Sequence, residues 1–78
     1  MIKLTEAELD QWYVLDHITE LDHRVRNRML ALGFVQGRPV KVKFTSGLFG
    51  PPKFVIQIDT VRYALTHSEA EHVYVRKI

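Results

Sequence analysis

Three stretches in the second half of the chain place an apolar side chain at every second residue. In PVKVKFT (39–45) the apolar set is Val40, Val42 and Phe44, with Lys41 and Lys43 between them. In KFVIQID (53–59) it is Phe54, Ile56 and Ile58, and in VRYAL (61–65) it is Val61, Tyr63 and Leu65. Period-two alternation marks a strand with one buried and one solvated face. Only Asp59 and Thr60 separate the second stretch from the third, which predicts a tight hairpin, although neither is the glycine that such turns favour. WYVLDHI (12–18) and VYV (73–75) add the β-branched and aromatic content of two further strands. About five short strands in 78 residues leave few ways to fold. An open sheet of that size exposes its edges, and closure into a barrel protects them.

One helix interrupts the strands. The spacing predicts it from about Glu20 to Leu32, with Asp22 favourable in its first turn. Leu21, Val25 and Leu32 share a face, Met29 lies on its flank, and Leu30 lies opposite. Gly33 is expected to end the helix with positive φ, which glycine adopts without steric cost, and Gly37 to close the turn into the next strand. Both are structural in this reading. Thr5-Glu6-Ala7-Glu8 and Thr66-His67-Ser68-Glu69 are capping-box patterns that predict single helical turns near the two ends. The expected fold is mainly β: a small SH3-like barrel with one helix between its first two strands, residues 1–78 forming one domain.

The net charge of +2 is unevenly laid out. Met1 to Asp22 holds six acids and one lysine, a net −5; His23 to Lys43 holds six bases and no acid, a net +6. The expected arrangement sets the acidic third alongside the basic middle, an exposed basic patch being the alternative. The chain has no cysteine, which excludes disulfides and thiolate metal sites. It has no signal-peptide pattern and no apolar run near the roughly 20 residues of a membrane span, so a cytoplasmic protein without membrane insertion is expected.

The loop SGLFGPPKF (46–54) is the least ordinary segment, because it places Leu48 and Phe49 between two glycines and two prolines. One reading has Phe49 folded back to plug the barrel end. The preferred reading makes Leu48 and Phe49, with Gly50 and Pro51, an apolar anchor for a partner or for a second copy of the chain. Arg24, Arg28 and Leu30 are weaker partner-binding candidates. Leu30 needs a cover, and the N-terminal segment bearing Leu4, Leu9 and Trp12 is expected to supply it.

Catalysis and metal binding have little support in the sequence. His67, Glu71 and His72 are the weak metal candidates, His67 and Glu71 by their i, i+4 spacing, but a single helical turn is a poor frame for a rigid site. No tight metal site and no cofactor are expected. Ser46 and Ser68 lack the surrounding motif of a nucleophile, and the glycine clusters lack the lysine of a phosphate loop. A nucleic-acid-binding barrel is the main alternative, drawing on Arg24, Arg26 and Arg28, yet Arg26 points away from the other two on a helical wheel. No nucleic acid is expected as a partner.

RMLALGFVQGRPVKVKF (28–44) resembles the helix, glycine turn and strand of the ferrous-iron transport protein A (FeoA) family. GPPKFVIQIDTVRYALTHSEAEHVYV (50–75) is similar to the remainder: a Gly-x-Pro loop, a hairpin, a Leu-x-x-x-Glu-Ala turn and a last Val-x-Val strand. The chain departs from the family's habit at Gln36, where proline is common, at Pro51, where aspartate is, and at the Asp59-Thr60 turn, where glycine is. The resemblance implies an SH3-like fold and a small, non-enzymatic, cytosolic accessory protein. It also implies a partner, the membrane ferrous-iron permease, whose cytosolic domain hydrolyses GTP. A related domain is fused to metal-dependent repressors, so a metal-binding or sensing role is a further alternative. The initial methionine and the lack of a helix-turn-helix pattern favour the freestanding form.

Overall fold

A computed structural model describes residues 1–19, 22–47, 49–50 and 52–78. It contains strands β1 (Ile2–Lys3), β2 (Trp12–Ile18), β3 (Pro39–Ser46), β4 (Lys53–Ile58), β5 (Val61–Thr66) and β6 (Val73–Lys77). Helix α1 (His23–Ala31) joins β2 to β3, and the single turn α2 (His67–Glu71) joins β5 to β6. All strand pairs are antiparallel, and the six strands form one sheet in the order β1-β6-β2-β3-β4-β5. The SH3-like, mainly β expectation holds, with one more strand than the sequence predicts. The extra strand, β1, has two residues and no alternation of its own; it forms because Ile2 and Lys3 pair with Val75 and Tyr74 of β6.

The core collects the inward residues of strands β2 to β6. Tyr13 and Leu15 come from β2, Val40 and Val42 from β3, Ile56 from β4, Leu65 from β5, and Val73 and Val75 from β6, each essentially inaccessible to water. Met29 closes one side from α1, and Leu4 another, from a 3₁₀ turn at Leu4–Glu6. That turn replaces the helical turn expected at Thr5–Glu8. Its cap is Lys3 and not Thr5, two residues earlier, because Leu4 is drawn into the core, and the Glu6 carboxylate accepts the Lys3 amide at 3.0 Å.

Helix α1 is shorter than the apolar spacing predicts. Asp22 is its N-cap, its carboxylate accepting the Arg24 amide at 2.8 Å. A capping side chain satisfies amides that have no partner in the first turn, and so fixes where the helix begins. The expected first turn at Glu20 and Leu21 lies outside the described residues. Met29, placed on the flank by the spacing, is the residue most deeply buried, while Val25 and Leu32 are half-buried against the same core.

One other expectation changes and one holds. Phe44 does not continue the inward face of Val40 and Val42, because the pairing of β3 with β4 shifts by one residue between Val42 and Phe44. A bulge of one residue sends every later side chain to the opposite face, and Phe44 is 49% exposed. The hairpin at Asp59-Thr60 forms as expected without glycine, since Asp59 itself takes a φ of +55°. Aspartate is among the side chains that best tolerate this left-handed region.

Candidate partner-binding surface

The connection from β3 to β4 projects Phe49 into solvent, with 96% of its surface exposed. It therefore does not plug the barrel. Leu48 and Pro51, named with Phe49 and Gly50 as the anchor, lie outside the described residues. Gly47 shapes the arch: a Cβ built on it would stand 2.7 Å from the Pro52 Cα, closer than real carbons approach. Glycine is required there because the two legs of the loop nearly touch. Gly50 turns the chain at a φ of +128°, with open space beside it. At the foot of the arch stands Phe44, so two aromatic side chains share this end of the β3–β4 hairpin. No alternation rule could have found Phe44, because the bulge that exposes it depends on pairing.

The α1 candidates separate. Arg28 is joined to Glu69, which ties α1 to α2 and neutralises its charge, although about half of its side chain still meets water. Arg24 is nearly free, with only a 3.9 Å approach to Asp22. Leu30 is 41% exposed, so the N-terminal segment does not cover it. Leu4 enters the core beside α2 instead, and Leu9, held by a bridge to Val42, stays 54% exposed. Leu30 lines a groove of about 230 Å³ with Arg26, Val35, Phe34, Leu15 and His17.

Gly33 and Gly37 do what the sequence requires of them, with φ of +103° and +87°. The Gly33 amide donates to Leu30 O at 3.0 Å and the Phe34 amide to Met29 O at 3.1 Å. This pair of bonds is the Schellman helix stop, in which the residue after the glycine packs on the last helical turn. Phe34 is accordingly fully buried, a core residue that the strand and helix periods overlook because it belongs to neither element.

Acid–base pairing across the fold is partial. Lys43 is 2.8 Å from Asp10, whose carboxyl is held below its ordinary value by that hydrogen bond and charge. Arg76 reaches Asp16 at 3.4 Å, and Arg38 reaches Asp59 at 3.2 Å. Among the described residues the acidic third thus meets two cations of the basic middle, Lys43 closely through Asp10 and Arg24 loosely through Asp22, and spends Asp16 on the last strand. His17, hydrogen-bonded to Asp16 at 2.7 Å, stacks on Tyr74 with the rings 4.8 Å apart.

The metal candidates do not converge. His67 Nδ1 lies 3.8 Å from Glu71, but His72 Nδ1 is engaged with the Ser68 carbonyl at 2.9 Å. Among the described residues no three histidine or carboxylate side chains form a set that could hold a metal ion. Among them, too, no helix is long and apolar enough to cross a membrane.

Comparison with known proteins adds to this geometry. The family model described as the FeoA domain matches residues 2–77. A Stenotrophomonas maltophilia FeoA structure, solved with zinc, is 28% identical with a TM-score of 0.78, over 96% of this chain and 89% of that one. It is described as a prokaryotic SH3 domain protein and a candidate activating factor for ferrous-iron transport. An iron uptake regulatory protein, also named FeoA, is 25% identical with a TM-score of 0.78, over 99% and 96% of the two chains. The FeoA protein of Chlorobium tepidum shares the fold at 23% identity, with a TM-score of 0.84 over 99% of this chain and 70% of that one. No curated protein matches the chain. With a family model that spans all but its terminal residues, the chain belongs to the FeoA domain family.

Proposed function

We propose that this chain is a non-enzymatic accessory protein of ferrous-iron uptake. In this reading it works in the cytoplasm, by contact with the membrane iron permease and its GTPase domain. The observation that carries the reading is Phe49, almost wholly exposed on an arch that Gly47 and Pro52 narrow. A large aromatic side chain held in water gains nothing for folding, and such residues are the usual centres of protein interfaces. The description of the Stenotrophomonas protein as a transport activating factor points to the same role. The zinc of that structure gives no second reading, since the described donors here do not converge. Nor does the arginine set favour nucleic acid, with Arg28 tied to Glu69.

The test is retention of the purified permease's cytosolic domain by this chain, with an RNA pool as competitor. Retention of the domain that RNA does not displace, and that is lost in Phe49→Ser, is the expected result. Retention of RNA alone overturns the proposal.

A further inference from the structure

The outer face of β3, β4 and β5 carries an apolar row that alternation in the sequence does not announce. The bulge turns Phe44 outward, and the register then sets Phe44 beside Val55 and Val55 beside Ala64. Phe44 and Ala64 are exposed and Val55 is half-buried. On one side of this row lies Lys41–Gln57–Arg62, and on the other Ser46–Lys53–Thr66. The ion pairs among the described residues involve neither Arg62 nor Lys53. An apolar row therefore runs between two cations that have no ion-pair partner among the described residues, and ends at β5.

Strand β5 is the last in the sheet order, so one side of its backbone has no strand partner among the described residues. Which groups face that side follows from Thr66. Its amide donates to the Glu69 carboxylate at 2.9 Å and so points away from β4. Alternate residues of an antiparallel strand direct their N–H and C=O to the same side. Ala64 and Arg62, two and four residues earlier, thus present theirs to the open edge. Exposed edges are commonly blunted by proline or a bulge. The β4–β5 register here is unbroken from Lys53–Thr66 to Ile58–Val61, and β5 has no proline.

We propose that the β5 edge accepts an extended acidic segment of a partner protein as an added strand. The residue opposite Ala64 is apolar and continues the Phe44–Val55–Ala64 row. The residue opposite Arg62 carries a carboxylate that meets its guanidinium, and the added strand ends at Thr66, whose amide Glu69 already holds. Backbone bonds to Arg62 and Ala64 supply affinity, and the alternating face supplies selectivity. A second copy of this chain fits the edge poorly. Two-fold pairing about Tyr63 sets Arg62 of each copy diagonally across the ladder on one face, where like charges repel. The apolar row meets the foot of the Phe49 arch at Phe44, but the β5 edge lies two strands away from that residue, and either contact can fail without the other.

The probe is a blocked heptapeptide alternating threonine with glutamate, valine and glutamate. A companion peptide carries lysine in place of both glutamates. Amide shifts of the full chain are followed during titration, with Phe49→Ser as a control. The expected result is that the Arg62 and Ala64 amides shift and gain exchange protection with the acidic peptide alone, in parent and control alike. Ala64→Pro removes an outward N–H that the sheet does not use, a position where edge strands tolerate proline. It should keep its melting temperature and bind at least about tenfold more weakly, as expected for loss of a backbone hydrogen bond and its mate. Arg62→Glu, which changes only an exposed side chain, should weaken binding without altering the fold. Equal binding by a folded Ala64→Pro or by Arg62→Glu overturns the proposal. So does equal binding of the lysine peptide, or shifts confined to the arch. The same amides shifting with protein concentration alone would assign the edge to a second copy, which also overturns it.

Discussion

The amide of Phe34 donates to the carbonyl of Met29 across the Gly33 turn, and both side chains are fully buried. This relationship fixes the end of α1 against the core, because the backbone stop and the core contact are made by the same two residues. Removing the Phe34 ring should be severe. Phe34→Ala deletes a packed aromatic, at a typical cost of about 3–5 kcal/mol, comparable to the whole stability of a domain this small. Phe44→Ala changes the same residue type ten positions later and should cost less than about 1 kcal/mol, since half of that side chain already meets water. Urea unfolding of the two variants checks the contrast.

Gly33 makes the stop possible. A side chain there would be strained by the φ of +103° before any clash, for its Cβ would meet only Arg38 Nη1 at 3.4 Å and Ile58 Cγ2 at 3.8 Å. Gly33→Ala should therefore destabilise by about 1–2 kcal/mol through backbone strain. Gly33→Val adds branched bulk beside those neighbours and should cost more. An unchanged melting temperature for Gly33→Val would show that the helix tolerates another ending.

The sequence revealed most of the fold because its strands are half-buried and therefore alternate. Val40, Val42, Phe54, Ile56 and Ile58 sit where the alternation puts them. Gly33 and Gly37 were legible for the same kind of reason, since each needs a conformation that other residues resist. Phe34 was not legible from periodicity, but a large apolar residue directly after a helix-stopping glycine is the signal of its burial. Phe44 and the row it begins were invisible, because a bulge is decided between two strands and not within one. Arg28 illustrates the remaining gap: its partner Glu69 lies far along the chain, and spacing rules say nothing of such pairs.

Asp10 gives the fold a defined response to acid. Its carboxyl is held below the ordinary 3.8, first by the hydrogen bond from Lys43 and then by the charge of Lys43; desolvation opposes them, and the more distant charges of Lys41 and Arg62 add less. A depressed carboxyl contributes stability that is present above its unfolded value and is lost as pH falls through the folded value. Stability from this pair should thus be intact at neutral pH and decline only below about pH 4. Asp10→Asn keeps a residue suited to the backbone φ of +60° while removing the charge. The variant's melting temperature should lie below the parent's at pH 7 and meet it near pH 2, and added salt should narrow the gap because the pair is exposed. Parallel curves across the whole range would remove Asp10 as the source.

Phe49 separates folding from partner binding more cleanly than any other residue. With 96% of its surface in water, it contributes almost nothing to the core, so Phe49→Ser should leave the melting temperature within about 1 °C of the parent. If the arch is the anchor, the same change should remove about 2 kcal/mol or more of partner binding, roughly thirtyfold in affinity. Gly47→Ala probes the arch itself and not the aromatic. Its Cβ cannot coexist with the Pro52 backbone at 2.7 Å, so the legs must part and Phe49 must move. Binding should weaken although the ring is still present, while the β3–β4 register below the loop stays intact in amide exchange. Were Gly47→Ala to bind as the parent does while Phe49→Ser fails, the aromatic would matter and the rigid arch would not. Were Phe49→Ser to unfold well below the parent, the exposed ring would have a folding role and the anchor reading would be wrong.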